Sequence, residues 1–175
     1  MKTAKFGGSS LASAAQIRKV CDIITADPAR RLIIVSAPGK RDDDDTKVTD
    51  LLIAAAEARL THRDGEAEIG RVIERFVQIA DGLGLGAEAL APIEQDLRDR
   101  LVGDAADEGL YMDTMKAAGE ANCARLVAAF LRHEGVDAHY VDPGEAGMIL
   151  SDEPGNARVL RAAYGRLRTL RDRTG

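Results

Sequence analysis

The segment TAKFGGSSLASAAQIRKVCDIITADPARRLIIV, residues 3–35, decides the fold of this chain. It starts with a short strand-like run, 3–6, that ends at a Gly-Gly pair, and it finishes with a continuous apolar run, 32–35. Between the runs, Ser13 begins an S-x-x-Q helix-capping box, and apolar residues then recur at helical spacing until an Asp-Pro pair. The segment predicts two parallel strands, buried on both faces and joined through a helix by a right-handed crossover.

The rest of the chain is predicted to be mainly helical. We expect helices that begin near residue 45 or 46 and then span about 66–81, 87–101, 108–117, 119–134 and 157–172. Two further short strands are expected at 137–141 and 148–150. The 175 residues therefore predict one α/β domain with a sizeable core.

Composition excludes several classes of protein. A formal net charge of −5 argues against a general nucleic-acid surface, which would need clustered positive charge. The N-terminus lacks the apolar segment of a signal peptide, and no apolar run approaches the roughly 20 residues of a membrane span. We therefore expect a cytoplasmic protein without nucleic-acid or membrane partners. Cys21 and Cys123 are expected to be small core residues in a reducing compartment.

The first candidate site is the loop K-F-G-G-S-S, residues 5–10, directly after the first strand. Two glycines let the backbone turn sharply and approach a ligand, and the N–H groups that follow could surround an anion. Lys5 lies at the carboxyl end of the strand, where open α/β sheets bind ligands and where an ammonium group can neutralise phosphate oxygens. The same residues also fit a tight turn beside an exposed lysine, without any ligand.

The second candidate site combines S-A-P-G-K, residues 36–40, with T-K-V-T-D, residues 46–50. Because it follows the second parallel strand, it should reach the same sheet edge as the first loop. Hydroxyl groups of Ser36 and Thr49 would suit a carboxylate there, and they also fit ordinary turn and capping roles. The four aspartates at 42–45 lack the spacing of a metal cage and are expected to form a solvated loop rather than a Mg²⁺ site.

The third candidate is the G-E-A-N stretch, residues 119–122. Glu120 is expected on the apolar face of its helix, where a buried carboxylate needs a partner. That partner could be Lys116, four residues earlier, or the ammonium group of a substrate. The three histidines are scattered and predict no catalytic arrangement.

In their order along the chain, these segments resemble those of the aspartate kinases, within the amino-acid kinase family. KFGGSSLASAAQIRKV resembles the opening segment of the family, VSAPGKR with DTKVTDLL resembles its second loop, and KAAGEANCARLVAAF resembles its acidic helix. VDAHYVDPGEAGMILSDEPGNARVL resembles the corresponding stretch in one branch of the family. The resemblance covers nearly all of the chain, and it implies a three-layer α/β/α open sandwich.

The resemblance also implies an activity, the phosphorylation of the side-chain carboxylate of L-aspartate by Mg²⁺-ATP to 4-phospho-L-aspartate. This is the first step of the aspartate-derived amino-acid pathway, and it would proceed by direct transfer. Carried over residue by residue, the nucleotide-phosphate loop would be Lys5, Phe6, Gly7, Gly8, Ser9 and Ser10, with Lys5 as the catalytic cation. Aspartate would be bound by Ser36, Thr49 and Glu120, with Glu120 facing its ammonium group. No metal ligand is assigned.

Two departures from the family pattern bear on this expectation. Ala118 stands before Gly119-Glu120 where the family usually has a polar residue, which could weaken the aspartate site. The sequence ends at RDRTG, before the Arg-Gly-Gly-Ser-Asp segment, the adenine-binding half and the ACT domains of the family. Residues 1–175 are therefore expected to be the N-terminal portion of a truncated catalytic domain, inactive when isolated.

Two alternatives stay open at this point. The chain could be a non-catalytic ligand-binding or assembly module of the same fold, or it could belong to a kinase for another small acidic amino acid such as glutamate. An unpaired sheet edge could also join copies of the chain into a homo-oligomer.

Overall fold

The computed structural model describes the backbone of residues 1–173 and the side chains up to residue 169. It contains two compact units, Met1–His139 and the part from Tyr140 onward. The first unit contains β1 (Lys2–Phe6), a 3₁₀ turn (Gly8–Leu11), α1 (Ala14–Thr25), β2 (Arg30–Val35), α2 (Val48–Leu60), α3 (Glu66–Leu83), α4 (Ala87–Leu101) and α5 (Glu108–His133). The second unit contains α6 (Arg161–Arg173). None of the helices among these residues has both the length and the apolar character needed to cross a bilayer.

The strand–helix–strand unit at the N-terminus is confirmed. β1 and β2 pair in parallel, with Lys5 opposite Ile34 and Phe6 opposite the last residue of β2. α1 begins as its capping box predicts, because the Ser13 hydroxyl oxygen accepts the backbone N–H of Gln16 at 3.4 Å. Local sequence signals therefore set both the type and the start of these elements.

The described sheet is covered on one face, so the prediction of strands buried on both faces is wrong. Phe6, Ile33 and Val35 pack against the helical core. On the opposite face Lys5 is exposed and Ile34 is 47 % exposed. An apolar run shows that a strand can be buried, but it does not say whether a second layer packs on it within the same stretch of chain.

The core of the first unit lies between the sheet and five helices. α5 packs against α2 and α4, and α3 packs against the same two helices. Cys21 and Cys123 are buried in this core as free thiols, in agreement with the sequence prediction. Burial raises the pKa of the Cys21 thiol to about 11 and also raises the pKa of Cys123, so both stay protonated and unreactive near neutral pH.

α5 is a single helix, whereas the sequence predicted two helices separated near residue 118. Gly119 lies in the middle of α5 and faces the core. A Cβ atom added at Gly119 would lie 2.7 Å from the Cβ atom of Ala37, closer than real side chains approach. The glycine therefore permits a close helix–loop contact, and it does not end the helix.

Two helix starts and two expected strands also differ from the prediction. α2 begins at Val48 rather than at 45 or 46, and α6 begins at Arg161 rather than near 157. The segment 137–141 is not a strand, and the strand expected at 148–150 is reduced to one antiparallel bridge between Leu150 and Val159. A strand needs hydrogen-bonding partners on a neighbouring strand, and β-like composition does not provide them.

Candidate functional site

The first loop, residues 5–10, is anchored at the end of β1 and then turns sharply. Phe6 packs on the core, and its carbonyl oxygen accepts the backbone N–H of Ser36 at 3.2 Å. Gly7 is extended, and its carbonyl oxygen accepts the N–H of Ser10 at 3.0 Å. The chain therefore changes from strand to 3₁₀ turn within two residues, directly beside the end of β2.

The second loop, residues 36–40, crosses the first loop in direct backbone contact. The Gly39 N–H donates to the Gly8 carbonyl oxygen at 2.9 Å. A Cβ atom at Gly8 would lie 2.9 Å from the Ala37 carbonyl oxygen, and one at Gly39 would lie 2.7 Å from the Gly8 carbonyl carbon. Only glycine fits at either position without moving the backbone. The prediction that both loops reach one edge of the sheet is confirmed.

The third predicted segment joins this crossing through α5. Gly119 contacts Ala37 of the second loop, and a Cβ atom added there would also lie 3.6 Å from the Cγ1 atom of Val48, the first residue of α2. Thr49 directly follows Val48, and Glu120 directly follows Gly119. Three segments that are distant in sequence are thus brought to one place by close glycine contacts.

The nine predicted site residues differ in their exposure. Lys5, Ser9 and Glu120 are exposed, and Phe6, Gly7, Gly8, Ser10, Ser36 and Thr49 are half-buried. No carboxylate pairs with the Lys5 ammonium group within residues 1–169. In the same part of the chain, the backbone N–H groups of Gly8 and Ser9 have no hydrogen-bond acceptor. A cation and two unused donors at a glycine turn fit an anionic phosphate group.

Glu120 lies at the edge of the apolar face of α5, and the prediction that it is buried there is wrong. Gly119, Asn122 and Cys123 point inward, while the position of Glu120, about 100° further round the helix axis than Gly119, is exposed. Lys116, one of the two partners considered for Glu120, pairs elsewhere, because its ammonium group lies 3.7 Å from a carboxylate oxygen of Asp113. Glu120 forms no ion pair within the described residues, so its carboxylate is available to a ligand.

Asp45 differs from the rest of the acidic run. Residues 42–44 are exposed, as predicted, but the Asp45 side chain is only 8 % exposed and pairs with Arg41 and Arg75. Hydrogen bonds from Arg41, joined by one from Arg75, hold the pKa of the Asp45 carboxyl well below its usual range despite its burial. The prediction of a solvated loop is therefore wrong at this one position.

Arg75 is the residue that sequence reasoning missed. It lies on α3 and is 4 % exposed. Its guanidinium donates to the Asp45 carboxylate and to the carbonyl oxygens of Ala12, Gly39 and Thr46, at 3.4, 3.3 and 3.1 Å. We call these five residues the Arg75 cluster. The available signal was an arginine on the apolar face of its helix, next to Phe76 in sequence and three residues after Val72.

A second buried polar group lies between α4 and α5. Asn122 of the G-E-A-N stretch is fully buried, and its side-chain amide donates to the Asp96 carboxylate at 2.8 Å. Arg100 and Arg125 pair with the same carboxylate at 2.9 and 3.2 Å. Asn122 therefore has a structural partner, although it lies only two residues after Glu120.

Metal ligands do not cluster in the part of the chain that the structure describes. Within residues 1–169, no three histidine, cysteine, aspartate or glutamate side chains are close enough to hold an ion. These residues therefore do not provide a Mg²⁺ cage of their own.

Comparisons with known proteins agree with this geometry. The model of the amino acid kinase family matches residues 3–175. Aspartokinase 3 of Bacillus subtilis is 50 % identical over the whole chain, which covers 38 % of that protein. Aspartokinase 3 of the Arabidopsis thaliana chloroplast is 30 % identical over 91 % of the chain, which covers 29 % of its length. The chain thus spans less than two fifths of the length of these relatives.

Solved structures show the same fold. The match to the aspartate kinase of Clostridium acetobutylicum covers 74 % of this chain and 29 % of the length of that protein chain. Its TM-score is 0.62, and the sequence identity is 29 %. The match to Escherichia coli aspartokinase III in complex with aspartate and ADP covers 96 % of this chain and 36 % of the length of that protein chain. Its TM-score is 0.74, and the sequence identity is 22 %. These likenesses confirm the predicted α/β fold of the amino-acid kinase type. Since the family model matches nearly the whole sequence, the chain belongs to the amino acid kinase family.

Proposed function

We propose that this chain is the N-terminal part of an aspartate kinase catalytic domain. The reaction is transfer of the γ-phosphoryl group of ATP to the side-chain carboxylate of L-aspartate, which gives 4-phospho-L-aspartate and ADP. One observation carries the proposal: the first loop, the second loop and α5 meet through the contacts of Gly8, Gly39 and Gly119. The names of the relatives and the aspartate and ADP in the Escherichia coli structure support the choice of substrates.

The first loop is proposed as the phosphate side of the site. The exposed Lys5 ammonium group would neutralise charge on the transferring phosphoryl group, which makes Lys5 the catalytic residue of this half. The free N–H groups of Gly8 and Ser9 and the exposed Ser9 hydroxyl would donate to phosphate oxygens. Phe6 supports the loop from the core, and Gly7 and Ser10 close its turn.

The second loop, the start of α2 and Glu120 are proposed as the aspartate side. Glu120 would bind the substrate ammonium group with its exposed, unpaired carboxylate. Thr49 lies in the first turn of α2, where its hydroxyl and the helix N-terminus favour a carboxylate. Ser36 is a further candidate at the end of β2. The reaction needs no covalent enzyme intermediate, because positioning and charge neutralisation provide most of the catalysis in phosphoryl transfer.

Several finer features belong to the same proposal. Mg²⁺ would enter with ATP and offset its phosphate charge, and residues 1–169 contain no group of three candidate ligands for the ion. The product leads to lysine, threonine and methionine biosynthesis in the cytoplasm. Assembly into a homo-oligomer, without nucleic-acid or membrane partners, completes the proposal.

A hydroxamate trap for acyl phosphate tests this function. The intact protein that carries the chain should give hydroxamate that depends on both ATP and L-aspartate, and much less with L-glutamate. Absence of signal from the intact protein would favour a non-catalytic module of the same fold, and a stronger signal with glutamate would change the substrate. The isolated 175-residue chain should bind ATP weakly and show no useful turnover.

A further inference from the structure

The Arg75 cluster joins three segments of the chain through one buried side chain. Arg75 belongs to α3, but all of its acceptors lie elsewhere. Ala12 follows the 3₁₀ turn of the first loop, Gly39 lies in the second loop, and Thr46 precedes α2. The buried guanidinium thus donates to the segment after the first loop, to the second loop and to the segment before α2.

Arginine is the side chain suited to this task. Its planar guanidinium carries five N–H donors in a fixed arrangement, so it can serve several acceptors at once, whereas a lysine ammonium is a compact point charge. Asp45 neutralises the buried cation. The Arg41 guanidinium in turn donates two hydrogen bonds of 2.9 Å to the Asp45 carboxylate. The three backbone carbonyl groups would lose their donor without Arg75.

The Arg75 cluster adds a second connection to the direct hydrogen bond between the two loops. The Gly39 N–H bonds to Gly8, and the Gly39 carbonyl oxygen bonds to Arg75, so both polar groups of this peptide position are used. Ala12 lies three residues after Ser9, and Thr46 lies three residues before Thr49, and both Ser9 and Thr49 are proposed ligand-binding residues. A shift of Arg75 would therefore change the separation between the phosphate side and the aspartate side.

We propose that Arg75, held by Asp45, is a positioning residue for phosphoryl transfer, which sets the separation of the first loop from the second loop and Thr49. The proposal rests on the aspartate kinase function proposed above. Transfer between two bound substrates depends on their alignment, and a misplacement of about 1 Å can cost about 10²-fold in rate. Loss of Arg75 should therefore lower kcat, and it should change the KM values for ATP and aspartate much less.

The test uses Arg75→Lys, Arg75→Met and Asp45→Asn in the intact protein. The matched control is Tyr111→Phe, which removes the buried hydrogen bond of 2.8 Å from the tyrosine hydroxyl to the Leu101 carbonyl oxygen, outside both loops. Steady-state kinetics are measured at a temperature where circular dichroism shows every variant folded. We expect kcat to fall about 30- to 100-fold in Arg75→Met and Asp45→Asn, less in Arg75→Lys, and less than twofold in Tyr111→Phe.

Unchanged kcat in folded Arg75→Lys and Asp45→Asn would overturn the proposal. If Arg75→Met does not fold, the kcat values of these two variants alone test it. Failure of the function itself is a separate outcome, seen as absence of aspartate-dependent turnover in the wild type. Amide hydrogen exchange at Gly39 then decides the positioning role. Faster exchange in Arg75→Lys than in an equally stable Tyr111→Phe protein supports it, and equal exchange overturns it.

Discussion

Two groups of charged residues near the loop crossing differ in whether their charges are paired. In the Arg75 cluster, Arg75 and Asp45 are nearly buried and pair with each other. Lys5 and Glu120, which we call the open side, are exposed and form no ion pair among residues 1–169. Burying unpaired charge is costly, so inward charges are paired for stability, whereas outward unpaired charges beside a fixed backbone are free to bind a ligand.

Lys5→Ala tests the open side with the largest expected effect. In the intact protein, kcat should fall by about 10²- to 10³-fold, because a cation is removed from the transferring phosphoryl group. The thermal midpoint should change little, since the side chain is exposed and unpaired. Lys2→Ala is the control, because Lys2 is exposed on the same strand and pairs with Asp27 at 2.8 Å. Near-normal kcat in Lys5→Ala would show that Lys5 is not catalytic.

Gly119→Ala tests the close contact that brings α5 to the second loop. The new Cβ atom would lie 2.7 Å from the Cβ atom of Ala37, so the free energy of unfolding should fall by about 1–3 kcal/mol, measured by urea denaturation. Gly70→Ala is the matched control, because Gly70 lies inside α3 with no atom within 4 Å of the added Cβ. That change should stabilise the protein by up to about 1 kcal/mol, through helix propensity alone. Equal effects of the two substitutions would contradict close packing at Gly119.

Asp45→Asn tests the paired side through pH. The folded-state pKa of Asp45 lies below its unfolded value of about 3.9, so its ion pairs stabilise the protein fully above that pH. That stabilisation is lost as pH falls from about 4 through the folded-state pKa. At pH 7, Asp45→Asn should lower the free energy of unfolding by about 1–3 kcal/mol, and the difference from wild type should shrink below pH 4.

The exposed neighbour Asp43 provides the control for this pH dependence. Asp43→Asn removes one carboxylate from the same loop, as Asp45→Asn does, but the Asp43 side chain is exposed to solvent. It should change the free energy of unfolding by less than about 0.5 kcal/mol at pH 7. A difference between wild type and Asp45→Asn that stays constant from pH 7 to pH 3 would refute the ion pair as its source.

The sequence alone could predict the parts of this molecule that local patterns determine. A short run ending at a Gly-Gly pair located β1, a continuous apolar run located β2, and the capping box located α1. Parallel pairing placed the two loops at one sheet edge. The roles of Gly119 and Arg75 depend on atoms that are 29 or more residues away in sequence, namely those of Ala37 and of the acceptors in the cluster. Such roles follow from packing, which no local pattern encodes.

The same reasoning explains why the predicted exposure is wrong for both Asp45 and Glu120. A run of four aspartates suggested solvent, and a helical spacing suggested burial, yet Asp45 is nearly buried and Glu120 is exposed. In each case the outcome depends on one partner. Arg75 draws Asp45 inward, whereas no described cation lies beside Glu120.

Glu120→Gln probes the open side with the smallest expected effect. An amide keeps the shape of the side chain but removes the charge that faces the substrate ammonium group, so the KM for aspartate should rise about tenfold while kcat changes little. Glu134→Gln, at the exposed end of the same helix, is the control and should leave both constants unchanged. Because Glu120 has no ion-pair partner within residues 1–169, its loss should not reduce the thermal midpoint. An unchanged KM would mean that an unpaired, exposed carboxylate beside the loop crossing does not by itself mark the aspartate side.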